Sequence, residues 1–193
     1  MERRLHIGGR EARAGWEILN INPGPDVDHI GDAISLAAFA DGTFAEIYAS
    51  HVLEHFDYKE GVMGALKEWH RVLAPGGMLR LSVPDLDVLA QLLLQRERLD
   101  VNQRFHVMRM IFGGHVDAHD YHIVGLNEEF LAGYLYGTGF TDVRRVQRHG
   151  IFRDTSDMVF AGTPISLNLY AVKAGAAVAA VAAAARQGSE VVA

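Results

Sequence analysis

Between Phe44 and Pro84 the chain changes its hydrophobic period twice, and this alternation restricts the fold more than any other stretch. Glu46–Ser50 (EIYAS) is a short, largely apolar run that suits a buried strand. Val62, Ala65, Leu66, Trp69, Val72 and Leu73 then recur at helical spacing, with Lys59, Glu60, Lys67 and Glu68 on the opposite side. Ala74-Pro75-Gly76-Gly77 stops that helix, because proline cannot continue it and glycine permits positive φ. Met78–Val83 (MLRLSV) predicts a second strand. Strand, helix and strand in this order form a βαβ unit, which implies a parallel sheet and a right-handed crossover.

The flanking segments add strands on both sides. Leu5-His6-Ile7 predicts the first strand, with Gly8-Gly9-Arg10 as the turn after it, and Trp16–Ile21 the second. So few residues lie between them that the crossover helix must shrink to roughly one turn. Val27–Ile30 reads as a short third strand, followed by Gly31-Asp32-Ala33. Asp85 suits the N-cap of a helix carrying Leu86, Leu89, Leu92 and Leu93, and also stands at a strand end. A further helix over Val101–Phe112 has an apolar stripe, Phe105, Met108, Ile111 and Phe112, of the kind that forms a core or a homodimer face. After the loop 113–127, Asn127 caps a helix with Phe130, Leu131, Tyr134 and Leu135 facing inward. Thr141–Gln147 and Ile165–Val172 are the sixth and seventh strands, with Phe152–Gly162 as a loop between them.

A length of 193 residues fits one domain, and a hydrophobic fraction of 49% supplies its core. A net charge of −6 argues against a general nucleic-acid-binding surface; Arg144, Arg145, Arg148 and Arg153 form one local basic patch on a solvated strand edge. Without cysteine there is no disulfide, thiolate metal site or thiol nucleophile. MERRLHIGG lacks the apolar core of a signal peptide and no run reaches transmembrane length, so the expected location is cytoplasmic, with no membrane partner. His115, Asp117, His119, Asp120 and His122 crowd one loop, but their spacing matches no standard metal site, and no metal is expected.

FAEIYASHVLEHF followed by EWHRVLAPGGMLRLSVPDLD resembles the second half of a class I S-adenosylmethionine-dependent methyltransferase domain. The Arg-Val-Leu-x-Pro-Gly-Gly phrase before a strand is the most specific part. The likeness is strongest to a group of small bacterial methyltransferase-like proteins, some linked to surface-glycan pathways. It implies a domain over residues 1–173 and leaves 174–193 as an Ala-rich tail. The implied fold is α/β and Rossmann-like: a mainly parallel seven-stranded sheet, an antiparallel last strand, and reduced N-terminal helices.

The implied cofactor is S-adenosylmethionine. Gly8 and Gly9 would pass beneath its methionine part, with Arg10 where the family has another glycine. Asn20 stands where an acid commonly takes the ribose hydroxyls, so that Asn20→Asp should tighten binding. Asp32 would accept from the adenine amino group while the Ala33 N–H faces the ring, although Asp32 also suits a local cap. Ser50 and His51, at the carboxyl end of the fourth strand, fall near the sulfonium. One of His51, Glu54 and His55 is expected to be structural. The loop 113–127 would cover the site, with His122 as general base beside His51 and Asp85, and the acceptor a small-molecule or glycan hydroxyl. The rivals are a binding module on the same fold and a metal-dependent hydrolase using the His/Asp loop.

Overall fold

The computed structural model describes residues 2–175; most of the Ala-rich tail lies outside them. In chain order the strands are β1 (Arg4–Ile7), β2 (Glu17–Asn20), β3 (His29–Ile30), β4 (Phe44–Ser50), β5 (Leu73–Pro84), β6 (Phe140–Val146), β7 (Val159–Phe160), β8 (Thr163–Pro164) and β9 (Ser166–Lys173). The helices are α1 (Gly61–Val72), α2 (Leu86–Leu94), α3 (Val101–Phe112) and α4 (Glu128–Gly137).

The predicted βαβ unit is β4-α1-β5. Its strands pair in parallel from Glu46 opposite Met78 to Ser50 opposite Ser82. Val62, Ala65, Leu66, Trp69 and Val72 are fully buried along one side of α1, as their spacing demands. Trp69 Nε1 donates to the Ala33 carbonyl at 2.8 Å, which fixes the segment after β3 to the helix. One boundary differs from the sequence reading: Ala74-Pro75-Gly76-Gly77 already belongs to β5, as an irregularity opposite Ala45. Gly76 has φ +80°, and a Cβ on Gly77 would lie 2.7 Å from the Ala74 carbonyl oxygen and 3.1 Å from that of Ala45. The same glycines that end the helix therefore let the chain pair at once.

The sheet has seven strands in the order β3-β2-β1-β4-β5-β9-β6. All pairs are parallel except that β9 runs antiparallel to both β5 and β6. Residues 8–16 contain a turn but no helix, a stronger reduction than the single helical turn expected. The third strand is two residues long, and β7 and β8 form a hairpin inside the segment read as a loop. Asp85, Asp100 and Asn127 cap α2, α3 and α4, accepting from Val88 N at 3.3 Å, Gln103 N at 2.8 Å and Phe130 N at 2.9 Å.

The two faces of the sheet differ in chemistry. Leu5, Ile7, Ile47, Ala49, Leu79, Leu81, Leu167 and Leu169 join the core that includes α1 and α4. The alternate positions His6, Tyr48, Ser82 and Asn168 are also buried, but outside that apolar cluster. There the cover is coil rather than helix: Phe152 lies 4.0 Å from the His6 ring centroid, and Tyr48 Oη donates to Asp154 at 2.7 Å. A smaller cluster of Leu89, Leu92, Leu99, Val107 and Ile165 joins α2 to α3. Phe130 is exposed, not inward, and so are Phe105 and Phe112 of the α3 stripe; α3 buries Val107 instead. Among the described residues, no helix is long and apolar enough to cross a membrane.

Candidate active site

Five neighbouring parallel strands present their carboxyl ends to one edge of the sheet, and the turns after β1, β2, β3 and β4 line a cleft there. The cleft has two lobes of about 620 and 450 Å³. Gly8, Arg10, His51, His55, Val116 and Asp120 line both, so the lobes are continuous.

The smaller lobe collects Gly8, Asn20, Asp32 and Ala33. Gly8 has φ +80°, and a Cβ there would come within 2.8 Å of Val52 Cγ2. Gly9 packs on the His6 ring, where a Cβ would lie only 2.5 Å from Nδ1. Neither position therefore accepts a side chain, and the turn after β1 packs tightly on Val52 and His6 at the edge of the cleft. Asn20 is buried, and its amide is committed: Nδ2 donates to Gly9 O at 2.9 Å, and Oδ1 accepts from Asn22 N at 2.9 Å. It therefore ties the turn after β1 to the turn after β2, a bond the sequence reading of Asn20 at the ribose position did not include. Asp32 makes the local cap and stands at the lobe. One carboxylate oxygen accepts from Ile34 N at 3.0 Å while the exposed side chain lines the lobe.

The larger lobe is bounded by Ser50, His51 and His122 from the predicted set, with His6, Arg109, Arg153 and Asp154 around them. His51 adopts φ 55°, outside the usual range for a residue with a Cβ, and its N–H donates to Ser82 O at 2.9 Å. Its ring is clamped at both nitrogens. Ser166 Oγ donates to Thr155 O at 2.9 Å, so it accepts from His51 Nε2, also at 2.9 Å. His51 Nδ1 faces Glu54 Oε1 at 3.2 Å, a close approach without hydrogen-bond geometry.

Glu54 is the residue that sequence reading left without a role. It is 1% exposed, and neither carboxylate oxygen has a hydrogen bond of good geometry among the described residues. Burial alone pushes its pKa up; the neighbouring His51 leads the opposing pull, and the balance lies below the ordinary carboxylate value. The loop 113–127 is fastened here, because Ile123 N donates to Glu54 O at 2.8 Å. That contact turns His122 inward, with Nδ1 3.0 Å from Met110 O and Nε2 4.0 Å from Glu54 Oε1. Burial lowers the His122 pKa, which keeps the ring neutral. An acid following Val52-Leu53 and set between His51 and His55 in HVLEHF was the available signal for Glu54.

Asp85 is placed differently from the expectation. It is 2% exposed, caps α2 and pairs with Arg145 at 2.7 Å, and it lines neither lobe. Its carboxylate is consumed by joining β5, α2 and β6. The proposed His/Asp loop metal set also fails to assemble among the described residues. His115 turns back to Phe112 O at 2.8 Å and stacks on Tyr121, while His119 lines the smaller lobe.

Residues 17–81 match the family described as "Methyltransferase domain". Solved structures similar to the chain include a SAM-dependent methyltransferase from Archaeoglobus fulgidus (17% identity, 89% of this chain and 86% of that one, TM-score 0.57). A SAM-dependent methyltransferase from Methanosarcina mazei is similar at 16% identity, covering 90% of this chain and 93% of that one, with TM-score 0.56. A third, the CurJ carbon methyltransferase, is 19% identical with TM-score 0.52; 90% of this chain spans only 49% of that one. No curated protein shows a significant sequence match to the chain.

Proposed function

We propose that this chain, whose residues 17–81 match the methyltransferase-domain family and whose fold is that of class I S-adenosylmethionine-dependent methyltransferases, is an O-methyltransferase acting on a small molecule or glycan. The observation that carries the reading is the two-lobed cleft, with Gly8, Asp32 and Ala33 in one lobe and the His122 imidazole in the other. The residues present fit the cofactor. Gly8 carries the positive φ of the turn after β1 at the wall of the smaller lobe, and Asp32 offers a carboxylate to an exocyclic amine beside Ala33.

Bound in the smaller lobe, S-adenosylmethionine supplies an electrophilic methyl group on a sulfonium. The chain's own residues have two tasks. His51 and Arg10, which line both lobes, and Ser50 of the larger lobe would hold the acceptor near the cofactor. His122 removes the acceptor's hydroxyl proton: its Nδ1–H is spent on Met110 O, so the Nε2 lone pair is free, and its lowered pKa keeps it so at neutral pH. His51, clamped between Glu54 and Ser166, positions rather than accepts. Gly113, Gly114, Val116, Asp120 and His122 of the loop form part of the wall of the larger lobe.

Two observations favour the binding-module reading as the alternative: Arg10 lines both lobes, and the Asn20 amide is already committed. Incubation with methyl-labelled S-adenosylmethionine and hydroxyl-bearing sugars and metabolites separates the readings. Transfer to a hydroxyl is expected, with His122→Ala lowering the rate by about 10²–10⁴-fold. Cofactor binding without transfer to any acceptor supports the binding module instead.

A further inference from the structure

The cluster around Glu54 contains more than a base needs. One potential ligand atom from each of Glu54, His55 and His122 lies within 4.8 Å of the other two. Ligand atoms around a first-row ion lie about 3–4 Å apart, so small side-chain rotations suffice. Three independent features point inward. Glu54 is fully buried with both oxygens lacking a hydrogen bond of good geometry among the described residues. The Nδ1 atoms of His55 and His122 lie 3.0 Å from the carbonyls of Tyr121 and Met110, which fixes neutral tautomers with the lone pair on Nε2. Histidine ligands of metals are held by this kind of outer bond. His51 Nδ1 lies 3.2 Å from Glu54 Oε1, the same oxygen that faces His122 Nε2 at 4.0 Å.

We propose that Glu54, His55 and His122 form a binding site for a single first-row divalent metal ion of the Zn²⁺ or Co²⁺ type, with its open positions toward the larger lobe. Two imidazoles and one carboxylate suit these ions better than Mg²⁺ or Ca²⁺, which take all-oxygen sets. His55 and His122 both line the larger lobe, so a bound ion is reachable from the acceptor side. The ion uses the same Nε2 lone pair that His122 offers as a base. Metal-loaded protein then lowers the acceptor hydroxyl's pKa by coordination, and metal-free protein relies on the imidazole. The site is separate from the His/Asp loop set considered from sequence, sharing only His122 with it.

The test uses the full chain, stripped with a chelator and titrated with Zn²⁺ and with Co²⁺, by calorimetry and by the visible absorption of bound Co²⁺. One ion per chain is expected. Glu54→Gln, His55→Ala and His122→Ala should each weaken binding at least tenfold, and His115→Ala should leave it unchanged. Circular dichroism confirms folding of each variant; His55→Ala, at a half-buried position, serves should Glu54→Gln misfold. Absence of saturable binding in the wild type, or equal binding in the folded variants, overturns the proposal, as does loss of binding in His115→Ala. S-adenosylmethionine binding to the stripped protein is measured in parallel, so failure of the metal site is distinguishable from failure of the methyltransferase reading.

Discussion

Asn20 shows how one amide sets the geometry of a binding lobe. Replacement by Asp keeps the acceptor for Asn22 N but removes the donor to Gly9 O and sets a carboxylate against that carbonyl. Asn20→Asp is therefore expected to lower stability by about 1–3 kcal/mol and to weaken cofactor binding, the reverse of what the sequence suggested. Denaturant unfolding and calorimetry check both; a stable, tighter-binding variant contradicts the assigned bonds. His6 sits beneath Phe152, and burial pushes its pKa down to about 4 against the opposing pull of Asp154. The unfolded chain binds this proton near pH 6.5 and the folded chain only near 4, so stability is full above about pH 6.5 and falls as the pH drops toward 4. Comparing unfolding midpoints at pH 7.5 and 5.0, His6→Phe should reduce the loss; an equal loss in both proteins removes His6 from the cause. Gly8, Gly9, Asp32 and His51 were legible because turn chemistry and strand-end position are local properties. Glu54 was not, because the histidine of the covering loop reaches it only through the folded backbone.

At the scale of elements, the joint between α1 and β5 rests on Gly77. A methyl group there meets backbone oxygens of Ala74 and Ala45, which cannot move without loosening β4 and β5. Gly77→Ala should cost about 1–3 kcal/mol. Gly133→Ala, inside α4 with open space around the added carbon, should instead gain about 0.5–1 kcal/mol. Thermal or denaturant unfolding of the two variants settles the contrast, and similar effects in both would refute the close approach. The helix was readable from its apolar spacing, and its stop from Pro75 and the glycines. The immediate start of β5 was not, because a bulge depends on the neighbouring strand. Phe105, Phe112 and Phe130 misled for the related reason that periodicity shows which residues share a face and not whether a partner covers it.

For the whole molecule, the alternation of strands and helices was enough to indicate the sheet and the edge at which its turns converge. The replacement of N-terminal helices by coil was only partly legible. Its trace is the polar alternation of His6, Tyr48, Ser82 and Asn168, residues that a sheet packed by apolar helices on both faces would not carry. The central claim is that the cleft at this edge binds S-adenosylmethionine through the turns after β1, β2 and β3. Titration calorimetry with S-adenosylmethionine and with its demethylated product, on wild type and Asp32→Ala, tests it most directly. Saturable binding of one molecule per chain is expected, with Asp32→Ala raising Kd about 5- to 150-fold, the equivalent of about 1–3 kcal/mol. Absence of saturable heat for either compound with the wild type, or an unchanged Kd in a folded Asp32→Ala variant, would contradict it.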